Sequence, residues 1–242
     1  MTYDLPTDHL APLLTDWRPP PRPGPEVIPG RYVRLERLDP ARDADAICAA
    51  TQHDPSIWDY MSNGPFTDAA ALRAWMEQAV ASDAVFYAFL PAEGGQAFGY
   101  ASFMRIDAGN GVVEIGNVVI SPAAQRSRAA SEALMAMVAW AFAAGYRRVE
   151  WKCNARNAAS RRAARRYGFA FEGMFRSHMI LKSRNRDTAW FAMIAEDWPE
   201  IHAGHQAWLA PDNFTEAGQQ KSSLSTLTAQ IVTQAEAAIQ QL

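Results

Sequence analysis

Cysteine is nearly absent from this 242-residue chain, with only Cys48 and Cys153 present and far apart. That excludes a disulfide scaffold, which needs several cysteines at close spacing. Histidine is scarce too: His9, His53, His178, His202 and His205 are scattered, and no metal site is expected. His202 and His205 share a helical face, but with no cysteine nearby they read as solvated side chains. No apolar run approaches the roughly 20 residues of a membrane span, and the N-terminus lacks a basic-then-apolar leader pattern. A net charge of −3 gives no general attraction for nucleic acid. The expectation is a cytoplasmic protein with neither a membrane nor a nucleic-acid partner. Its hydrophobic share of 49% is ordinary for a globular domain, and the length suits one domain with extensions.

What is present centres on residues 112–169. Val112–Ile120 reads as a strand, Gln125–Ala130 as a basic turn, Ser131–Ala144 as a helix and Arg147–Asn154 as a second strand, followed by a helix to Tyr167. Leu134, Met137, Val138, Ala141 and Phe142 fall on one helical face. Gly145 and Gly168 stand where helix C-caps place glycine. Such a strand–helix–strand unit implies a right-handed parallel crossover. The turn from Ser121 to Ala130 leads into a helix N-terminus, whose free N–H groups and positive dipole end suit a phosphate.

Three segments in this order carry a resemblance: Glu114-Ile115-Gly116-Asn117-Val118-Val119-Ile120-Ser121-Pro122, the Gln125–Ala130 turn, and Asn157-x-x-Ser160 with Tyr167-Gly168-Phe169. They resemble the GNAT acyl-CoA-dependent N-acetyltransferases, and among them the RimJ/RimL-like branch, over residues 30–199. The resemblance implies acetyl-CoA as cosubstrate and a primary amine as acceptor. It also implies that the strands holding Glu114 and Trp151 splay apart, so that the acyl-pantetheine arm enters between them. By the same resemblance the backbone N–H of Val118 polarises the thioester, and Val118 and Ile120 pair with pantetheine. Gln125, Arg126, Ser127, Arg128, Ala129 and Ala130 would hold the pyrophosphate. Asn157, and more weakly Asn154, would bond the arm, and Ser160 would meet the departing thiolate. Two positions depart from the family pattern: Arg128 replaces a glycine of the turn, and Ala164 replaces a tyrosine common in the family. Arg128 must bend away, bind phosphate itself, or spoil the site.

Around this centre, residues 1–29 read as a Pro-rich arm, and Arg31–Leu38 as a first strand. Asp39-Pro40 caps a helix through Ala50, and Thr67 is expected to cap another from Asp68 to Ala81. Between them lies a loop carrying Trp58, Tyr60, Met61 and Phe66, which either lines the substrate site or covers the sheet. Val85–Leu90 and Ala97–Ile106 are hairpin strands, and Phe169–Ser183 pairs with Asp187–Ile194 through Arg184-Asn185-Arg186. The fold class is α/β (α+β): about seven mostly antiparallel strands with helices on both faces. Residues 200–242 read as a helix, Glu200–Leu209, and a weakly ordered tail. Leu224, Leu227 and Ile231 in that tail leave homodimerisation open.

Amine acylation needs a base, a polarised carbonyl and a stabilised leaving group. Glu114 is the candidate base; its alternative role is a cross-strand partner for Arg105. Ser160 is the candidate for the leaving group, and Trp151 with the aromatic loop the candidate acceptor lining. Asn157 also fits a plain N-cap, and Cys153 a small core residue. Arg156, Arg161, Arg162, Arg165 and Arg166 read as a solvated face, one of them facing the 3′-phosphate of CoA. The reading is an N-acetyltransferase acting by direct attack on a peptide N-terminus or small amine. Its rival is a catalytically weak acyl-CoA-binding or sensing protein, favoured by Arg128 and Ala164.

Overall fold

Alternating apolar positions build the strands β1 (Val27–Pro29), β2 (Val33–Arg37), β3 (Val85–Pro91), β4 (Gly99–Asp107), β5 (Val112–Ile120), β6 (Arg148–Asn154), β7 (Ala170–Leu181) and β8 (Arg184–Ile194). This computed structural model describes residues 13–241. The strands form one sheet in the order β1-β2-β3-β4-β5-β6-β8-β7. Every junction is antiparallel except β5–β6, which is parallel. Two helices, α1 (Pro40–Thr51) and α2 (Ala69–Val80), cover one face through Ile47, Leu72 and Met76. On the other face lie α3 (Arg128–Ala143), α4 (Ala158–Arg166), α5 (Trp198–Leu209) and α6 (Leu224–Ile239), burying Met137, Ala164, Trp208 and Leu224.

Several expectations are corrected. The eighth strand, β1, comes from the end of the Pro-rich arm, where Ile28 is buried against the sheet. The described part of the arm lies on the domain: Tyr146 donates to the Pro21 carbonyl and Tyr87 to that of Pro25. Residues 1–12 of the arm lie outside the described residues. Helix α2 is capped by Asp68, whose carboxylate accepts from Ala71, while Thr67 only donates to Asp68. The long hairpin turns at Lys182-Ser183, both left-handed at φ 47° and 59°, so Arg184–Arg186 belong to β8. Two consecutive left-handed residues match the twist of the flanking strands. His205 is fully buried, not solvated; its Nε2 donates to the Tyr167 carbonyl, and burial pushes its pKa down to about 4.

The tail is a packed helix. Ser223 caps α6 by accepting from Thr226, and Leu224, Thr228 and Val232 are its buried stripe. Leu227 and Ile231, the apolar spacing that marks this helix in the sequence, are only partly buried beside that stripe. The Thr228 hydroxyl is satisfied by the Arg166 and Leu224 carbonyls. Glu236 accepts from the Phe171 amide and pairs with Arg165, covering the start of the edge strand β7.

The opposite end of the sheet is fixed by one carboxylate on α3. Glu132 accepts from the backbone amides of Arg31, Tyr32 and Val33 at 2.8, 2.6 and 3.1 Å. Gly30 permits this approach, since an added Cβ would lie 2.8 Å from the Glu132 carboxylate. Glu132→Ala strips three charge-assisted bonds and should lower stability by about 3–5 kcal/mol in urea or thermal melts. A loss below about 1 kcal/mol would show that β-sheet pairing alone holds this hairpin.

Candidate active site

The site is made by a strand pair that comes apart. Val112, Val113 and Glu114 of β5 pair with Arg148, Val149 and Glu150 of β6, and the pairing stops there. Strand β6 continues on β8 as far as Asn154, and β5 continues on β4 as far as Ile120. The departure coincides with a bulge: Tyr100 faces Val119 and Ser102 faces Gly116, giving β5 one residue more than β4 over that span. Asn117 is left-handed, at φ 52°, and its amide donates to Ser102 Oγ at 2.9 Å. A side chain at Gly116 would run into the Met104 sulfur. The gap thus opens between residues 115–120 and residues 151–154.

Glu114 stands at the last pair before the gap, on the sheet face shared by Glu150, Lys152 and Trp190. It is 5% exposed. Lys152 Nζ lies 3.0 Å from its Oε2 and 2.6 Å from Glu150, while Arg105 Nε stands 3.6 Å from Glu114. Burial raises the Glu114 pKa, opposed by the charges of Lys152 and Arg105. Oε2 is buried, with Lys152 as its ion-pair partner. Beneath it the ammonium packs on the Trp190 ring at 3.9 Å. Glu114 is thus Arg105's neighbour and a buried carboxylate at the lip of the gap.

On the other side, the basic turn is shorter than expected. Ser127 is the N-cap, accepting from Ala130, so Arg128, Ala129 and Ala130 form the first turn of α3. Gln125 and Ser127 give their amides to Ser121 and Ala124, whereas those of Arg126, Arg128 and Ala129 have no acceptor among the described residues. Arg126 is left-handed, at φ 63°. Gln125 donates its side chain to the Ile120 carbonyl. These free amides at a helix start fit an anionic phosphate. Arg128 bends away from them. Its guanidinium lies between the rings of Tyr32 and Phe214, 4.6 and 4.4 Å from their centroids, and Nη1 donates to the Tyr32 hydroxyl.

Asn157 caps α4 by accepting from Ser160, which leaves its amide NH₂ free. Ser160 Oγ accepts from the Trp151 indole at 2.9 Å, and its hydroxyl lies beside the Cys153 thiol. Asn154 accepts from Arg156 in a local turn. Trp151 and Cys153 lie on the α3–α4 face, away from Glu114, with Trp151 packed on Tyr167 and Phe169. The aromatic loop is mainly core: Trp58 is 3% exposed and stacks edge-on with Phe66, and Met61 packs beside them. Tyr60 is the exposed member, donating to the Arg156 carbonyl, and Lys182 donates to that of Trp58. The loop is thereby tied to the hairpin tip and to the β6–α4 turn. In the arginine cluster, Arg165 pairs with Glu236 and Arg166 stacks on Trp208, while Arg162 stays exposed.

Sequence reasoning missed Lys152, Glu150, Trp190 and Arg186. The signal was available: in Glu150-Trp151-Lys152-Cys153 the charged residues alternate with the apolar ones, which puts them on Glu114's face.

A mixed sheet with two splayed parallel strands, a turn with free amides and a buried carboxylate at the lip is the geometry on which the comparisons with known proteins bear. The profile described as an acetyltransferase (GNAT) domain matches residues 33–170, more than half of the chain. This chain belongs to the GNAT family of N-acetyltransferases. A GCN5-related N-acetyltransferase from Brucella melitensis is 41% identical, covering 89% of this chain and 100% of its own, with a TM-score of 0.86. A GNAT-family protein from Chromobacterium violaceum is 40% identical over 78% of this chain and 96% of its own, TM-score 0.75. The Salmonella typhimurium acetyltransferase that modifies the N-terminal serine of ribosomal protein L7/L12 shares the fold at 22% identity and TM-score 0.61, over 70% of this chain and 99% of its own.

Because Arg128 is stacked between two rings, Arg128→Ala should cost stability, by about 1–2 kcal/mol for two cation–π contacts. Its effect on the CoA dissociation constant, read by calorimetry, should stay below about threefold, since no charge-assisted bond is lost. A large loss of CoA affinity at unchanged stability would show that Arg128 leaves its rings for the ligand.

Proposed function

We propose that the protein transfers the acetyl group of acetyl-CoA to a primary amine, a peptide N-terminus or a small amine, by direct attack. The observation that carries this reading is the end of β5–β6 pairing at Glu114 and Glu150, which leaves a strand-shaped gap beside a base. In the gap, backbone groups of Val118 and Ile120 pair with the pantetheine arm as an added strand would. The Val118 N–H faces the thioester carbonyl, Asn157 bonds the arm, and the free amides of the Arg126–Ala129 turn take the pyrophosphate. Arg156 and Arg162, both exposed and without an ion-pair partner among the described residues, are the arginines left for the 3′-phosphate.

Glu114 takes the proton of the incoming ammonium, directly or through one water. The freed amine attacks the carbonyl carbon while the Val118 N–H holds the developing oxyanion. The C–S bond breaks, the thiolate departs hydrogen-bonded by the Ser160 hydroxyl, and it takes up the second proton that the amide nitrogen releases. Tyr60 and the loop tied to Lys182 line the acceptor mouth; Trp58, Met61 and Phe66 hold that loop from beneath. Arg128, turned onto Tyr32 and Phe214, removes one of the two reasons for reading the chain as a catalytically weak binder.

Calorimetry should detect CoA and acetyl-CoA binding, and no heat with either ends this reading. Glu114→Gln should leave acetyl-CoA affinity nearly unchanged and lower turnover by roughly 10²–10⁴, the range for losing a general base. Burial raises the Glu114 pKa, and the protonated form cannot accept a proton. Wild-type turnover should therefore fall as pH drops through that raised pKa, and the variant should lack this limb. Wild-type activity in Glu114→Gln across pH 6 to about 9 would make Glu114 structural.

A further inference from the structure

The face of the sheet around Glu114 is crowded with charge, and the charges do not balance. Three carboxylates (Glu114, Glu150, Glu172) meet four cations (Arg105, Arg148, Lys152, Arg186). Arg148 is held by Glu150 and Glu172, and Lys152 by Glu150 and Glu114. Arg105 reaches Glu114 at 3.6 Å. Arg186 makes no salt bridge and no side-chain hydrogen bond among the described residues, and its Nε is buried without a partner.

Arg186 is placed to matter. It lies on β8 two residues before Thr188, which pairs with Asn154 at the end of β6, so it shares the face of Thr188 and Trp190. The ionisable groups coupled to its charge are Cys153 on one lip of the gap and Glu114 on the other, with Arg105 beside them. Arg105 reaches this place from an irregular stretch of β4, with its backbone left-handed at φ 46°. An unpaired guanidinium with a buried nitrogen is costly, and a second cation beside it adds repulsion. Both costs vanish when an anion enters between them.

Taking the acetyltransferase reading as given, we propose that the acceptor is an amine bearing a carboxylate a few bonds from its amino group. Arg186, assisted by Arg105, binds that carboxylate while Glu114 receives the ammonium. The pairing is complementary: the amino end finds the buried carboxylate, and the anionic end finds the surplus guanidinium. A polycationic amine would bring further positive charge against two arginines and is selected against. The carboxylate has two sources, the α-carboxylate of a free amino acid or an acidic side chain next to a peptide's N-terminal residue.

The test uses acceptor pairs differing only in that charge: amino acids against their amides, and peptides with Asp against Asn at the second position. In the wild type the carboxylate member of one series should have the higher kcat/KM by about tenfold to a hundredfold, the scale of a charge-assisted bond. Whichever series shows the preference identifies the source. Arg186→Gln should bring the ratio close to one, and Arg186→Lys should restore part of it. Equal kcat/KM within both wild-type series overturns the proposal. So does an equal fall in kcat for all acceptors in Arg186→Gln with the ratio unchanged, which would place Arg186 on the leaving thiolate. A second readout does not need turnover: calorimetry of N-acetylglycine and N-acetylglycinamide against the CoA-loaded wild type and Arg186→Gln. Tighter wild-type binding of the carboxylate, lost in the variant, supports the proposal even if no acceptor is acetylated; equal or absent binding of both overturns it. Failure of CoA itself to bind is a separate result that removes the acetyltransferase reading. Charge discrimination between the same two probes is then read without CoA, with the same expected and overturning outcomes.

Discussion

The structure turns on a parallel strand pair that is abandoned after three residues. Parallel strands inside an α/β sheet ordinarily keep their ladder, because an unpaired amide or carbonyl in a buried place costs free energy. Here β5 parts from β6 at Glu114 and Glu150, while β4 holds β5 and β8 holds β6 along their other edges. The vacated edges are therefore backed on their far sides by continuous pairing. Local features agree with this departure: the absent side chain at Gly116, the left-handed Asn117 and its bond to Ser102. Breaking the ladder costs something in the free protein, and a partner that supplies strand-like groups recovers it.

The same break explains the chemistry of Glu114. Desolvation and Coulomb attraction oppose each other at this carboxylate, and burial is the larger. Lys152 is shared with Glu150, which it approaches more closely, at 2.6 against 3.0 Å, so it stabilises the Glu114 anion only in part. Arg105, at 3.6 Å, adds only a longer contact. A carboxylate saturated by a directed salt bridge would be a poor base. One held ionised by charge nearby, with an unused lone pair at the lip of a gap, is suited to take a proton.

Much of this was legible in the chain. Period-two and helical spacings mark most of the strands and helices, Gly145 and Gly168 mark two helix ends, and Asp39-Pro40 marks a helix start. The bulge at Gly116-Asn117 was legible too, because glycine and asparagine tolerate the backbone required there. What stayed hidden has physical reasons. Leu224, Leu227 and Ile231 mark α6 as a weakly ordered helix, and Thr228 in its buried stripe keeps apolar spacing from showing how firmly it packs. Lys182-Ser183 forms a tight turn without the glycine or asparagine that usually announces one. At Thr67-Asp68 two good capping residues are adjacent, and only coordinates show which carboxyl or hydroxyl meets the Ala71 amide. The charged ladder of β6 was missed because that strand was read for its apolar side alone. Arg128 could be weighed but not decided, since its partners lie 96 residues upstream at Tyr32 and far downstream at Phe214.

That last separation bears on how the extensions serve the site. Tyr32 belongs to the β1–β2 turn that Glu132 of α3 clasps through backbone amides, and its hydroxyl donates to the Leu209 carbonyl at the end of α5. Phe214 follows α5 and packs on Trp208. The first strands, the start of α3 and the C-terminal helices thus converge on one guanidinium at the first position of α3. A glycine there would free the turn at some cost in backbone entropy. An arginine keeps the amides of Arg126, Arg128 and Ala129 clear only while its side chain is anchored elsewhere, and two rings from distant segments supply that anchor. The segments beyond the matched family region thus shape the start of α3: by holding Arg128 aside, they let a residue that departs from the family pattern coexist with free amides at a helix start.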